Sequence, residues 1–151
     1  MTRIGLVGGL AVLALACAKP QLQSNVFFDH DADFPAFKTF AIAGGTGGTD
    51  TNRTLAEKEV RKGLAAKGLR AVDAGQADLL VQVDLGRRAK VRLSGAGSRG
   101  EYAGIVIGMR TRKANALVWQ AVAALTYYES LDPAVEIPKA VALALEDFPP
   151  S

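Results

Sequence analysis

The residues able to do chemistry in this chain are few. A single histidine, His30, sits in Asp29-His30-Asp31-Ala32-Asp33, and a single cysteine, Cys17, ends an apolar N-terminal run. Alternate aspartates open a calcium loop, but such a loop needs glycine at its sixth position and a bidentate glutamate at its twelfth. Counted from Asp29, those positions hold Phe34 and Phe40. A zinc ion would find one imidazole and carboxylates, without a second nitrogen or sulfur donor nearby. The favoured reading is a strand end followed by an aspartate-rich turn, with Asp33 capping local backbone groups. Ser24, Ser94, Ser98, Ser130 and Ser151 lie in no nucleophile-elbow or oxyanion pattern. No carboxylate pair stands out for hydrolysis. No catalytic residue, metal ligand or cofactor is assigned, and the expectation is a non-enzymatic protein.

Contact is better represented than catalysis. Between Gly86 and Gly100 the chain is basic and rich in glycine and serine: Arg87, Arg88, Lys90, Arg92 and Arg99 form a candidate contact surface. Such charge suits lipid phosphates, an anionic glycan or an acidic protein. A solvated hairpin whose charges discourage edge-to-edge pairing is the competing reading. Trp119 and the pair Tyr127–Tyr128 could line a pocket, although a strand tryptophan flanked by Leu117, Val118 and Val122 reads as core. Gly44–Asn52 lacks the Lys-Ser or Lys-Thr that completes a phosphate cradle, and reads as a flexible loop. A formal net charge of +3 exerts no strong pull toward nucleic acid.

The N-terminus carries an address. Met1-Thr2-Arg3 is followed by an uncharged run, Ile4–Ala16, and then by Cys17. That is the order of a signal peptide: charged start, apolar middle, small residues at the cut. The run is shorter than the roughly 20 apolar residues that cross a bilayer. Leu13-Ala14-Leu15-Ala16-Cys17 resembles the lipobox of lipoprotein signal peptidase. The resemblance implies cleavage before Cys17 and attachment there of diacylglycerol and a fatty acyl chain such as palmitate. Two or more chains hold a protein firmly on a membrane where one does not. Ala18 in place of aspartate implies, by resemblance to Gram-negative sorting, the outer membrane facing the periplasm. Ala14 stands where a lipobox usually has a branched aliphatic residue, and Ala14-Leu15-Ala16 also fits ordinary signal peptidase. The alternative is a secreted, unlipidated module that binds a small ligand or metal.

These features imply a signal peptide over residues 1–16, a lipidated tether over 17–24 and a single domain over 25–151. One domain of this length can bury a hydrophobic core. A lone cysteine excludes an internal disulfide. Alternating or apolar runs predict strands at Asn25–Asp29, Lys38–Ile42, Leu69–Val72, Ala77–Leu85, Tyr102–Met109 and Asn115–Tyr127. In Ala77–Leu85, Leu79, Val81, Val83 and Leu85 share one face, opposite Gln82 and Asp84. Four-residue spacing of Ala56, Val60 and Leu64 predicts a helix over Thr54–Lys67, with Gly68 as its cap and Glu57–Arg61 as a surface pair. Ile137, Val141 and Leu145 line a second helix over Ile137–Asp147, stopped by Phe148-Pro149-Pro150. Strands joined by short turns, with helices between and after them, make an α+β fold. It is a mainly antiparallel sheet with two helices on one face, a two-layer sandwich.

Several stretches in this order resemble the domain-of-unknown-function 4136 family of bacterial lipoproteins. They are Asp29–Phe34 leading into Lys38-Thr39-Phe40, Leu64–Val72 followed by Ala77–Val81, Leu117–Ala121, and Ala140–Pro150. The resemblance covers nearly all of the chain beyond the leader. It implies a lipid-anchored envelope protein with an α+β fold and transfers no functional residues. An intact mass spectrum of the protein recovered from membranes is expected to show lipid on an N-terminal Cys17; an unmodified thiol there would count against the anchor.

Overall fold

The computed structural model describes residues 23–89, 102–126 and 132–150. The leader, Cys17, the stretch with Lys90, Arg92 and Arg99, and the pair Tyr127–Tyr128 lie outside the described residues. Eight elements follow in order: β1 (Gln23–Phe28), β2 (Thr39–Ile42), α1 (Asp50–Ala66), β3 (Arg70–Ala71), β4 (Leu79–Ala89), β5 (Tyr102–Thr111), β6 (Leu117–Thr126) and α2 (Pro133–Ala144). The strands form one sheet in the order β1-β6-β5-β4-β2-β3. β1, β6, β5 and β4 are antiparallel neighbours, while β2 joins β4, and β3 joins β2, in parallel.

Alternation along the central strands decides which face is dry. Leu79, Val81 and Val83 of β4, Ile105, Ile107 and Met109 of β5, and Trp119, Ala121 and Ala123 of β6 are all fully buried. Register aligns them in rows: Val81 stands opposite Met109 and Met109 opposite Trp119, while Val83 pairs with Ile107 and Ile107 with Ala121. The helices cover this face, α1 over β4 and α2 over β6, and pack against each other. Ala56, Val60 and Leu64 of α1 and Ile137, Ala140, Val141 and Ala144 of α2 complete the core. This is the expected two-layer α+β domain.

Both helices start earlier than their apolar periodicity announces. The Thr49 side chain accepts a hydrogen bond from Asn52 N at 3.2 Å, so α1 begins at Asp50 rather than Thr54. Asp132 Oδ1 accepts from Ala134 N at 2.9 Å and Pro133 takes the first helical position, so α2 starts at Pro133 rather than Ile137. Gly68 has φ +90°, and Gly68 N donates to Ala65 O at 3.0 Å, which closes α1 as expected. On the surface of α1, Lys62 pairs with Glu59 at 3.9 Å instead of Arg61 with Glu57.

The glycine-rich stretch is a docked strand extension rather than a flexible loop. Ala43 N donates to Val81 O at 2.8 Å, Val83 N to Gly44 O at 3.1 Å, and Leu85 N to Thr46 O at 2.8 Å. Asp84 Oδ1 fastens it from the open face, accepting from Thr46 N at 2.7 Å and Thr46 Oγ1 at 2.9 Å. The segment lies so close to β4 that a Cβ at Gly45 would fall 1.7 Å from Val83 O. Gly45→Ala must push the two backbones apart. It is expected to lower the thermal midpoint by at least about 4 °C, since such clashes commonly cost about 2 kcal/mol.

A second clasp holds the parallel pair β2–β4, which has no hairpin to set its register. The Asp78 carboxylate accepts from Lys38 N at 2.9 Å, Thr39 N at 3.0 Å and Thr39 Oγ1 at 2.8 Å, while Asp78 N donates back to Thr39 Oγ1 at 3.0 Å. Bonds to the charged form, that from Lys38 N first and then that from the Thr39 hydroxyl, hold the Asp78 carboxyl below its ordinary value; Arg112 adds to this. A carboxyl lowered in the folded state stabilises the protein above its unfolded value of about 3.9, and that contribution disappears as pH falls through the folded value. Asp78→Ala should therefore cost about 1 kcal/mol at neutral pH. In denaturation curves run from about pH 7 to about pH 2, its gap to the parent protein should close on acidification.

Candidate contact surfaces at the two ends of the sheet

The two ends of the sheet differ in what reaches them. At the first, Gln23 stands opposite Ala124, Ala124 opposite Gly104, and Gly104 opposite Gly86. The chain therefore enters the sheet level with Gly86, and Arg87 and Arg88 lie further out along β4. A register shift falls between Gly86 and Ala89, a local irregularity of the ladder. β4 ends, β5 starts and β6 ends here, since Ala89 pairs with Tyr102 and Tyr102 with Thr126. α1 begins here too, directly after the segment docked beside Leu85. Among the described residues near this end, Asp50 pairs with Arg53, Glu136 with Lys139 at 3.2 Å, and Asp132 with the start of α2. Of the basic contact residues expected from sequence, Arg87 and Arg88 are placed in β4, and Lys90, Arg92 and Arg99 lie outside the described residues.

The opposite end is built from Asp29–Asp33, the turn after β5 and the entry to β4. Asp29 Oδ1 accepts from Asp31 N at 2.9 Å, so Asp29 and not Asp33 caps the turn. Asp33 heads the short 3-10 turn Phe34–Ala36 without a side-chain bond, because Pro35 occupies a position whose N–H a cap would bind. His30 is exposed and lies against Phe28, ring centroids 4.4 Å apart. Among the described residues no three His, Cys, Asp or Glu side chains come together as a metal site. Trp119 is fully buried, as expected, and meets Phe148 edge-on at 5.3 Å; Phe148 in turn meets Phe34 at 6.0 Å. Phe148 reads in sequence only as part of a helix stop, yet its ring plugs the core between α2 and the sheet. Its signal was the lone apolar residue after Glu146-Asp147.

The sheet face away from the helices carries Asn25 and Phe27 of β1, Gln120 and Val122 of β6, Val106 of β5 and Gln82 of β4. Phe27 is 64% exposed and Leu117, at the start of β6, 41%. Phe27 did not stand out in the sequence, because alternation alone leaves the outer face of an edge strand such as β1 unspecified. No described helix is long and apolar enough to cross a membrane.

The solved structures with a similar fold include the PelC dodecamer from Paraburkholderia phytofirmans in two crystal forms, at TM-scores of 0.59 and 0.58. Identity is 14%, over 83% of this chain and 95% of that one. A PDZ domain protein from Parabacteroides distasonis aligns at TM-score 0.58 and 19% identity, over 87% of this chain but 37% of that one. At such identities the likeness is one of fold. None of the curated proteins compared with the sequence matches it. The family model described as a domain of unknown function (DUF4136) matches residues 24–150, from the second residue of β1 to the end of the described chain, and the protein belongs to that family.

Proposed function

We propose that this protein is a non-enzymatic lipoprotein of the bacterial cell envelope. In this reading lipid on Cys17 holds it to the outer membrane, facing the periplasm, and its α+β domain binds or supports another envelope component. The observation that carries the reading is the spacing between Cys17 and the fold. β1 begins at Gln23, so the cysteine lies six positions ahead of the first described strand. A lone cysteine just before a folded domain and just after a signal-like apolar run is the layout of a protein tethered by its N-terminus. The family match supports it, because it starts at residue 24 and leaves the leader, the cysteine and a short polar link in front. The carboxylates best held in the structure, Asp78 and Asp84, are committed to fastening strands, which favours binding over catalysis.

The test is recovery of the intact protein from solubilised envelope, with separation of inner and outer membranes. The parent protein should fractionate with the outer membrane and bring down a defined envelope protein, while Cys17→Ser should appear in the soluble periplasmic fraction. A parent protein found soluble in the periplasm would overturn the anchor.

A further inference from the structure

We infer that Asn52 is a site of N-glycosylation, its side-chain amide taking an oligosaccharide from a polyprenyl diphosphate donor on the periplasmic side of the inner membrane. This rests on the proposed export of the chain and adds to it a covalent modification. The first turn of α1 reads Asp50-Thr51-Asn52-Arg53-Thr54. Asparagine followed two residues later by a threonine hydroxyl, with no proline between, is the acceptor pattern of exported proteins. Bacterial oligosaccharyltransferases also require an acid two residues ahead, and Asp50 fills that position. At the other asparagines, Asn25 and Asn115, Phe27 and Leu117 stand where the hydroxyl is needed. In the transfer Asn52 Nδ2 bonds to the anomeric carbon of the first sugar and the bond from that carbon to the diphosphate oxygen breaks. The polyprenyl diphosphate leaves with the bonding electrons, and one amide proton passes to a base of the transferase.

The fold presents this pentapeptide where an enzyme can draw it out. Asp50, Thr51 and Thr54 are exposed and Asn52 is half-buried. Among the described residues the Asn52 side-chain amide has no hydrogen-bond partner. The first buried residue of α1 is Ala56, so the core grips the helix only beyond the acceptor. The first N–H groups of a helix have no partner inside it. Here Thr49 ties the turn, its Oγ1 accepting from Asn52 N at 3.2 Å and its carbonyl from Arg53 N at 2.9 Å, and the Asp50–Arg53 pair adds a surface contact. Helix ends held this lightly open locally while the domain stays folded. The segment that opens is bounded by Thr46, fastened to Asp84, and by Ala56. Within it Gly47 and Gly48, at φ +75° and +66°, let the backbone change direction. Opening also releases Asp50 from Arg53, which leaves the carboxylate for a cation of the enzyme.

The test uses the purified, folded protein with a purified bacterial oligosaccharyltransferase and a polyprenyl-diphosphate-linked oligosaccharide, read by mass spectrometry of the peptide that carries Asn52. That peptide should gain one glycan. Asn52→Gln, Thr54→Ala and Asp50→Ala should abolish the gain, whereas Thr54→Ser and Asp50→Glu, which keep the hydroxyl and the charge, should retain it. Thr49→Ala, outside the acceptor, should be glycosylated about five-fold faster, the equivalent of roughly 1 kcal/mol of lost capping, with the folded circular dichroism spectrum unchanged. No gain on the Asn52 peptide, while a free acceptor peptide in the same reaction is modified, would overturn the site, as would a gain that survives Thr54→Ala. An unchanged rate in Thr49→Ala would overturn the opening of the first turn. The parent protein is then made in cells carrying the same enzyme in the inner membrane. Modification of the purified protein but not of the cellular one defeats the export reading and leaves the site standing.

Discussion

The parallel pairing of β2 with β4 is the constraint on which the rest of the domain depends. β5 and β6 are held in register by the short turn between them, but β2 and β4 are separated by α1 and β3 and run the same way. A one-residue slip would turn every side chain of β2 to the wrong face. The Asp78–Thr39 exchange prevents it, because one carboxylate oxygen and one hydroxyl together engage three backbone N–H groups across the gap. With that register, Phe40 stands opposite Leu79 and both point into the core. The chain after Ile42 then has to run along β4, and Asp84 fastens it there through Thr46. Two aspartates on one strand therefore place the start of α1.

Much of the fold was legible because it is written in local periods. The alternation of Leu79, Val81 and Val83 and the four-residue spacing of Ala56, Val60 and Leu64 are properties of neighbouring residues, and the structure follows them. What was hidden was hidden for a physical reason. Thr49 caps α1 from inside a run of glycine and threonine whose composition signals disorder, and the bonds that order that run go to β4, more than thirty residues away. The Asp78–Thr39 clasp spans 39 residues and leaves no trace in any window along the chain. Phe148 reads as punctuation until the tertiary structure brings it to Trp119.

The basic run was legible in the sequence, but its place in the fold was not. Strand order supplies that place for its first two members: β4 lies three strands from β1, with Gly86 level with Gln23 and Arg87 and Arg88 beyond it along the strand. Conversely, the aspartates that drew attention at Asp29–Asp33 end as a local turn at the far end.

β1 is also the outermost strand of the sheet, six residues without a charge, a proline or a bulge, and it carries an exposed phenylalanine. Such an edge invites self-association into continuous sheets, and soluble proteins usually blunt it with lysine or proline. Under the proposed anchoring the membrane does this work. Two copies so anchored to one leaflet would both enter β1 from the membrane side, whereas the two-fold pairing of identical edge strands needs them antiparallel. A tether of a few residues thus acts as a filter on assembly: it withholds the antiparallel sheet dimer and leaves copies free to meet only side by side, the same way up.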